Sequence, residues 1–336
     1  MMTKTPIWLV SLDIVSRGNR IRERLAVKTV WGAKIIRILF YFWDIVIGFP
    51  KMLFLILKIN TCNCKRKDKL AIVAIAKNES DYIREWVAYH KVIGVERIYL
   101  YDNDSTDGTK EEIQDFIDNG FVVYNVIHGQ CRQMDAYNDA LQTFGSKCIY
   151  MAYIDCDEFL TPVDKDVKIG EYLDEFFSGY PQAGALAVNW CMFGSSNLEK
   201  KPNGMLIDNF LWRAKIGRQG TDVVKSIIRP SKTLFFDNPH YAVFRFGYAA
   251  YDIYGKYVEN FLNDIPEYKG LKINHYFTKS KQQWIKRRSI GKADLGVTDK
   301  RSLQEFYNHD NNDVLDKSSL VFSGETKKIM FGNNVK

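Results

Sequence analysis

From residue 70 onward, short apolar runs alternate with stretches whose apolar residues recur at helical spacing. This pattern predicts an α/β fold, a mostly parallel sheet flanked by helices. Residues 70–76 (LAIVAIA) are an unbroken apolar run suited to a strand buried on both faces. The segment 79–93 places Ile83, Trp86, Val87 and His90 at helical spacing and stops at Gly94. A second strand is expected at 97–101 (RIYLY), after which Asp104, Ser105, Thr106, Asp107 and Gly108 offer turn and cap chemistry for a helix reaching Asn119 and Gly120. A strand at 121–126, a helix at 130–144 and a fourth strand at 148–154 (CIYMAYI) complete the unit. Ligands in such sheets bind beyond the carboxyl ends of the strands, so the residues after Ala76, Tyr101 and Ile154 should converge on one crevice.

The second half is less regular. Strands are expected at 183–190, 224–229 and 233–236, with a loop rich in Ser, Asn and Pro over 194–204. Asn274, His275 and Tyr276 end a further strand, and a basic helix over 279–292 follows. Residues 293–336 read as a C-terminal tail. Upstream, residues 1–64 form an extension whose apolar run, 38–57, has the length of a membrane span. Asp44, Pro50 and Lys51 interrupt that run, and a charge at mid-span costs about 2.5–3.5 kcal/mol. The run therefore fits an interfacial or re-entrant hairpin broken at Gly48-Phe49-Pro50 within a helical, membrane-associating extension, with a helix packed on the soluble core and a true span as the alternatives.

Charge sharpens this picture. The net +7 is unevenly placed: residues 1–69 hold fourteen Lys/Arg against four Asp/Glu, a net +10, and the rest of the chain carries −3. A basic leader on a slightly acidic body suits an anionic membrane surface, where each Lys or Arg contributes about 1 kcal/mol. Nucleic acid fits less well, because the leader's aromatics sit inside the apolar run and not among its charges. The six cysteines show no CxxC pair and no disulfide-framework spacing, and no cleavable signal peptide is evident. These features read as reduced thiols in a cytoplasmic protein held peripherally on the inner face of the membrane.

Asp155 and Asp157 stand where the fourth strand runs out, presenting hard oxygen ligands at the mouth of the sheet. Mg²⁺ or Mn²⁺ takes one or two carboxylates plus phosphate oxygens, so the pair could anchor a metal that bridges a diphosphate. Position matters here, since Asp-x-Asp alone is common in solvated turns. Asp102 ends the second strand, where an acid commonly meets a ribose or base. Ala76, Asn78 and Glu79 follow the first strand, at a place suited to polar donor contacts.

The runs AIAKNESDYIREWVAYHKVIGVERIYLYDNDSTDGT, QCRQMDAYNDAL and YIDCDEFL, followed by NWCMFGSS, KSIIRP and NHYFTKS, resemble the GT-A glycosyltransferases of the family 2 and family 92 group. The likeness covers roughly residues 69–292. It implies a GT-A (Rossmann-like) fold over residues 65–292, with a nucleotide-sugar-binding half (65–160) and an acceptor half (161–292). It further implies inverting transfer from a UDP-sugar such as UDP-galactose to a glycan or lipid-linked acceptor, with Mn²⁺ or Mg²⁺ in the site. By this resemblance Asp102 contacts the nucleoside, Asp155 the ribose and metal, and Asp157 the metal, with Gln133 of the second run a further donor contact. Asp102-Asn103 departs from the two adjacent acids usual in family 2 and matches a form frequent in family 92.

His275 is similar to the histidine that completes the metal site in many GT-A enzymes, a structural histidine being the alternative. His240 is a second candidate, and His90 on an apolar helix face reads as a core residue. Lys279 and Arg288 could neutralise the diphosphate. An inverting displacement also needs a carboxylate base; Glu199, Asp208 and Asp222 lie in the acceptor region, and Asp208 is preferred because it sits between apolar stretches. Two other readings remain: a non-catalytic membrane-docked module binding nucleotides or glycans, and a sugar nucleotidyltransferase, although residues 74–79 lack the Gly-rich loop the latter needs.

Overall fold

The structure is a computed structural model that describes residues 68–288 and 302–332, the side chain of Arg288 excepted. The extension 1–64, with its apolar run, lies outside the described residues; among those described, no helix is long and apolar enough to cross a membrane.

Strands β1 (Asp68–Ala76), β2 (Arg97–Asp102), β3 (Val122–Val126) and β4 (Cys148–Tyr153) form a parallel block with β1 between β2 and β4. The register pairs Ala76 with Asp102, Asp102 with Val126 and Val73 with Tyr153, so the strands end on one rim. The unbroken apolar character of β1 has its cause here. Leu70, Ile72 and Ala74 face one layer and Ala71 and Val73 the other, and all five are fully buried. Helix α1 (Ile83–Val92) covers the first face through Ile83, Trp86, Val87 and Tyr89. After the short helix α2 (Gln114–Asp118), helix α3 (Gln133–Phe144) covers the second face through Ala136, Tyr137, Ala140 and Leu141.

Two helices are shorter than their sequence pattern suggests, for one shared reason. Asn78 takes a left-handed φ of 56°, a conformation that Asn tolerates, and the chain turns before α1 begins. The backbone N–H groups of Asn78, Glu79 and Ser80 donate to the side chains of Ser105, Thr109 and Asp107. The Asp/Ser/Thr cluster thus ties the two strand-end loops together, and regular helix on its own side is confined to the 3₁₀ turn Glu111–Ile113 and α2.

Past the acids, β5 (Glu158–Pro162) is fully buried, and α4 (Ile169–Gly179) packs Leu173, Phe176 and Phe177 into the first layer. Strand β6 (Ala183–Met192) precedes the short helix α5 (Leu206–Asn209), β7 (Trp212–Arg213) and β8 (Val224–Ile228). Strand β8 runs antiparallel between β4 and β6. Strands β9 (Thr233–Phe236) and β10 (Ala242–Phe244) form a separate hairpin, while β11 (Ala249–Tyr251) and β12 (Tyr257–Val258) extend the main sheet beyond β6. Strand β13 (Leu271–His275) lies parallel to β6 and antiparallel to β5, and this register sets His275 opposite Glu158.

Helix α6 (Lys281–Arg288) follows β13. The C-terminal stretch, which its sequence suggests is a tail, packs onto the domain: α7 (Leu303–His309), β14 (Val314–Leu315) paired with β7, and α8 (Ser323–Phe331). Its anchors are a buried ion cluster and a ring contact. Asp316 receives Lys272 Nζ at 2.6 Å and Arg213 Nε at 2.8 Å, and Phe322 meets Tyr89 edge to face. Apolar residues are sparse in this stretch, and its attachment depends on charges whose partners lie far off in sequence, so no periodicity announces it.

One buried acid gives the fold a pH dependence. The Glu85 carboxylate accepts the backbone N–H groups of Leu206 (2.6 Å) and Ile207 (2.9 Å), fixing the start of α5. Burial pushes its pKa up to about 7 from an ordinary 4.5, against the pull of those two donors. A pKa raised in the folded state means that stability present at low pH is lost as pH rises from 4.5 through 7. Glu85→Gln cannot ionise, so its stability relative to the parent should improve by about 2.5 kcal/mol between pH 5 and pH 8. Urea midpoints at a series of pH values read this directly. A difference independent of pH would mean that burial does not control this carboxyl.

Candidate functional site

A cleft of about 360 Å³ opens at the carboxyl rim of the parallel block. The loop after β1 contributes Lys77, Asn78, Glu79, Asp81 and Tyr82; the start of α3 contributes Gln133; the turn after β4 contributes Asp155, Cys156 and Asp157. The second half supplies Trp190 from β6, Pro239 and His240 from the β9–β10 connection, and His275 with Phe277, Thr278 and Lys279 from the end of β13. Gln283, Lys286 and Arg287 of α6 and Glu305 of α7 complete the lining.

Of the expected donor and metal residues, Asn78, Glu79, Gln133, Asp155, Asp157, His275 and Lys279 meet in this one cleft. Ala76 and Asp102 stand just behind it. The carbonyl of Ala76 accepts the N–H of Asn103, and the buried Asp102 carboxylate accepts the N–H of Ser105, holding the loop after β2. Asp208 lies elsewhere. Helix α5 buries Leu206 and Ile207 and leaves Asp208 to pair with Lys327 at 2.6 Å, so the residue expected to act as base is not in the cleft. Glu199 and Asp222 do not line it either. The Arg288 side chain lies outside the described residues, and its neighbour Arg287 enters the cleft. His90 is a core residue, its Nδ1 donating to the Trp86 carbonyl and its Nε2 accepting the Leu160 N–H.

The two acids have different partners. Asp155 Oδ1 accepts from Gln133 Nε2 (2.8 Å) and Tyr137 OH (3.3 Å), and Oδ2 accepts from Lys225 Nζ (2.9 Å). Lys225 is fully buried and also lies 3.6 Å from Glu158 Oε2, which in turn accepts the Asp155 N–H. Burial opposes the Lys225 charge, but Asp155 and Glu158 outweigh it and hold its pKa above the usual lysine range. Asp157 Oδ2 meets Arg287 Nη1 at 2.7 Å, and its Oδ1 faces His275 Nε2 at 3.6 Å. Burial works against ionisation of Asp157, yet Arg287 and His275 keep its carboxyl well below the normal range. Burial lowers the pKa of His275 despite Asp157, which favours the neutral imidazole that a metal ligand requires. Glu79 stands between Arg287 Nη2 (3.8 Å) and Lys279 Nζ (4.0 Å).

Among the described residues, no group of three or more His, Cys, Asp or Glu side chains could hold a metal ion. The expected trio of Asp155, Asp157 and His275 lines one cleft, with the Asp155 carboxylate engaged by Lys225, Gln133 and Tyr137. Asp157 and His275 do face each other. Two such ligands fit Mg²⁺ or Mn²⁺, which leaves its other positions to phosphate and water.

Lys225 and Arg287 were not predicted as site residues. The signal for Lys225 was a lone charge in an otherwise apolar strand, VKSII; a charge there must have a buried partner. Arg287 had no comparable signal, because Lys286, Arg287 and Arg288 are equivalent basic residues until the helix phase is known.

Fold and cleft together define an α/β protein with acids and cations gathered at the carboxyl rim of a parallel sheet. The model of glycosyltransferase family 92 matches residues 72–309, well over half of the chain, and the chain belongs to that family. It is similar to a glycosyltransferase family 92 protein of Arabidopsis thaliana (27% identity over 172 residues, 49% of this chain and 29% of that protein). A family 92 protein of Oryza sativa subsp. japonica is 25% identical over 170 residues, 49% of this chain and 28% of the relative. The matched stretch therefore spans under a third of these relatives. Among solved structures, TarS of S. aureus in complex with UDP-GlcNAc aligns with a TM-score of 0.33 and 13% identity, over 48% of this chain and 45% of that one. HddC from Yersinia pseudotuberculosis aligns with a TM-score of 0.26 and 11% identity, over 47% and 68% of the two chains. Likenesses this weak carry no functional argument.

Proposed function

We propose that this chain is a GT-A enzyme transferring a sugar, with inversion, from a UDP-sugar to a glycan or lipid-linked acceptor. The observation that carries this is Asp157, buried in the cleft between His275 on one oxygen and Arg287 on the other, with Lys279 nearby. Arg287 and Lys279 bind the donor diphosphate, and Gln133 and Asn78 contact the nucleoside side. Asp157 and His275 would hold Mn²⁺ or Mg²⁺, which when bound supplies positive charge opposite the departing nucleoside diphosphate. Asp208 does not line the cleft, so the group that takes the acceptor proton is to be sought among the carboxylates that do, Glu79, Asp81 and Glu305 among them. The basic segment 1–69 docks the enzyme on the anionic inner face of the membrane.

The test is release of UDP from a panel of UDP-sugars, UDP-galactose included, with Mn²⁺ or with EDTA. Release should require the metal. Equal release in EDTA would overturn the metal assignment, and no release from any donor would overturn the transfer reading.

A further inference from the structure

The cleft lining divides by chemistry. The loop after β1 and the segment 279–287 bring charge, whereas β6 and the β9–β10 connection bring Trp190, Pro239 and His240. The rings form a continuous run. Ring centroids are 4.3 Å apart for His275 and Trp190, 5.0 Å for Trp190 and His240, and 5.8 Å for His240 and Phe261. The run starts beside Asp157 and reaches Phe261, which is 37% exposed.

Trp190 packs partly against the core, but core packing leaves the polar atoms of this strip unexplained. Trp190 Nε1 is buried and has no hydrogen-bond partner among the described residues, whereas a buried indole N–H usually finds one. His240 Nδ1 lies 3.2 Å from the Val224 carbonyl, which can only accept, so Nδ1 carries the proton and Nε2 remains an acceptor. The backbone beneath is fixed, with the Trp190 N–H on the Val223 carbonyl and the Val224 N–H on the Phe261 carbonyl. The strip therefore offers aromatic surface, its neighbouring rings inclined by 40° to 69°, with one donor and one acceptor and no full charge. A diphosphate gains nothing from such a surface. A pyranose ring does: its C–H face packs on aromatic rings while its hydroxyls both donate and accept.

We propose that Trp190, His240 and Phe261 form the subsite for a neutral acceptor saccharide, with the ring nearest the donor on Trp190 and the next unit toward Phe261. This rests on the donor reading given above.

The test is calorimetric titration of the full chain, saturated with UDP and Mn²⁺, with methyl hexopyranosides and their β-linked disaccharides. At least one disaccharide should bind, and Phe261→Ala and Trp190→Leu should each weaken it by about tenfold. Phe261→Ala, remote from the acids and cations, should bind UDP as the parent does. Trp190→Phe, which keeps a ring and loses the N–H, should fall between parent and Trp190→Leu. Disaccharide affinity unchanged in both Phe261→Ala and Trp190→Leu would overturn the subsite, as would a parent chain that binds UDP but no saccharide. A parent chain that fails to bind UDP would overturn the donor reading and this inference with it.

Discussion

Asp157→Asn should lower the rate of UDP release from the preferred donor by about 10²–10³-fold, while the far-UV circular dichroism stays that of the parent. The substitution keeps shape and removes charge. It weakens one of the two ligands proposed for the metal and deprives Arg287 of its 2.7 Å partner, so the charge balance of the cleft is lost on both counts. Because the Arg287 side chain is 26% exposed, water can replace the missing carboxylate, and the effect should fall on activity more than on stability. A variant with turnover within tenfold of the parent would remove Asp157 from the proposed mechanism.

Replacing Lys225 with Met should act mainly on the fold. The lysine is the cation shared by Asp155 and Glu158, and its side chain is 1% exposed. Removing one partner from a buried ionic cluster costs about 3–5 kcal/mol, and the lower end applies here because Asp155 is itself one-third exposed. The loss should also depend on pH. Burial and the neighbouring acids already raise the Glu158 pKa against the pull of Lys225; without the lysine, ionising Glu158 becomes harder still. A folded-state pKa raised further means stability lost as pH rises, so the deficit should be larger at pH 8 than at pH 5. Guanidinium unfolding at the two pH values measures this. A deficit below about 1 kcal/mol at pH 8 would mean that water, and not Lys225, balances these acids.

These two side chains also show where the sequence stops being informative. Strands β1 to β4 were legible because each is a compact apolar run between turn signals, and their shared rim followed from the parallel arrangement. The rim acids Asp155 and Asp157 were legible for the same reason. Strand β5 was not, since it begins with Glu158, a charge that reads as loop until the antiparallel partner β13 is known. That pairing also joins His275 to the acids across more than a hundred residues of sequence. Residue type and position brought Asp208 forward as a base, but the direction of a side chain on a four-residue helix depends on what that helix buries, and here it turns Asp208 toward Lys327. The partners of the first rim acid were hidden in the same way. Two acids at i and i+2 can share an ion, yet a lysine from β8 engages the first of them.

The proposed transfer requires a nucleoside diphosphate held in this cleft, with Asp157 as part of the hold. Isothermal titration of UDP into the full chain, with and without Mn²⁺, measures that directly. Binding should be one to one and tighter with the metal, and Asp157→Asn should abolish the gain from metal. No binding of UDP, or a metal effect that survives the loss of Asp157, would contradict it.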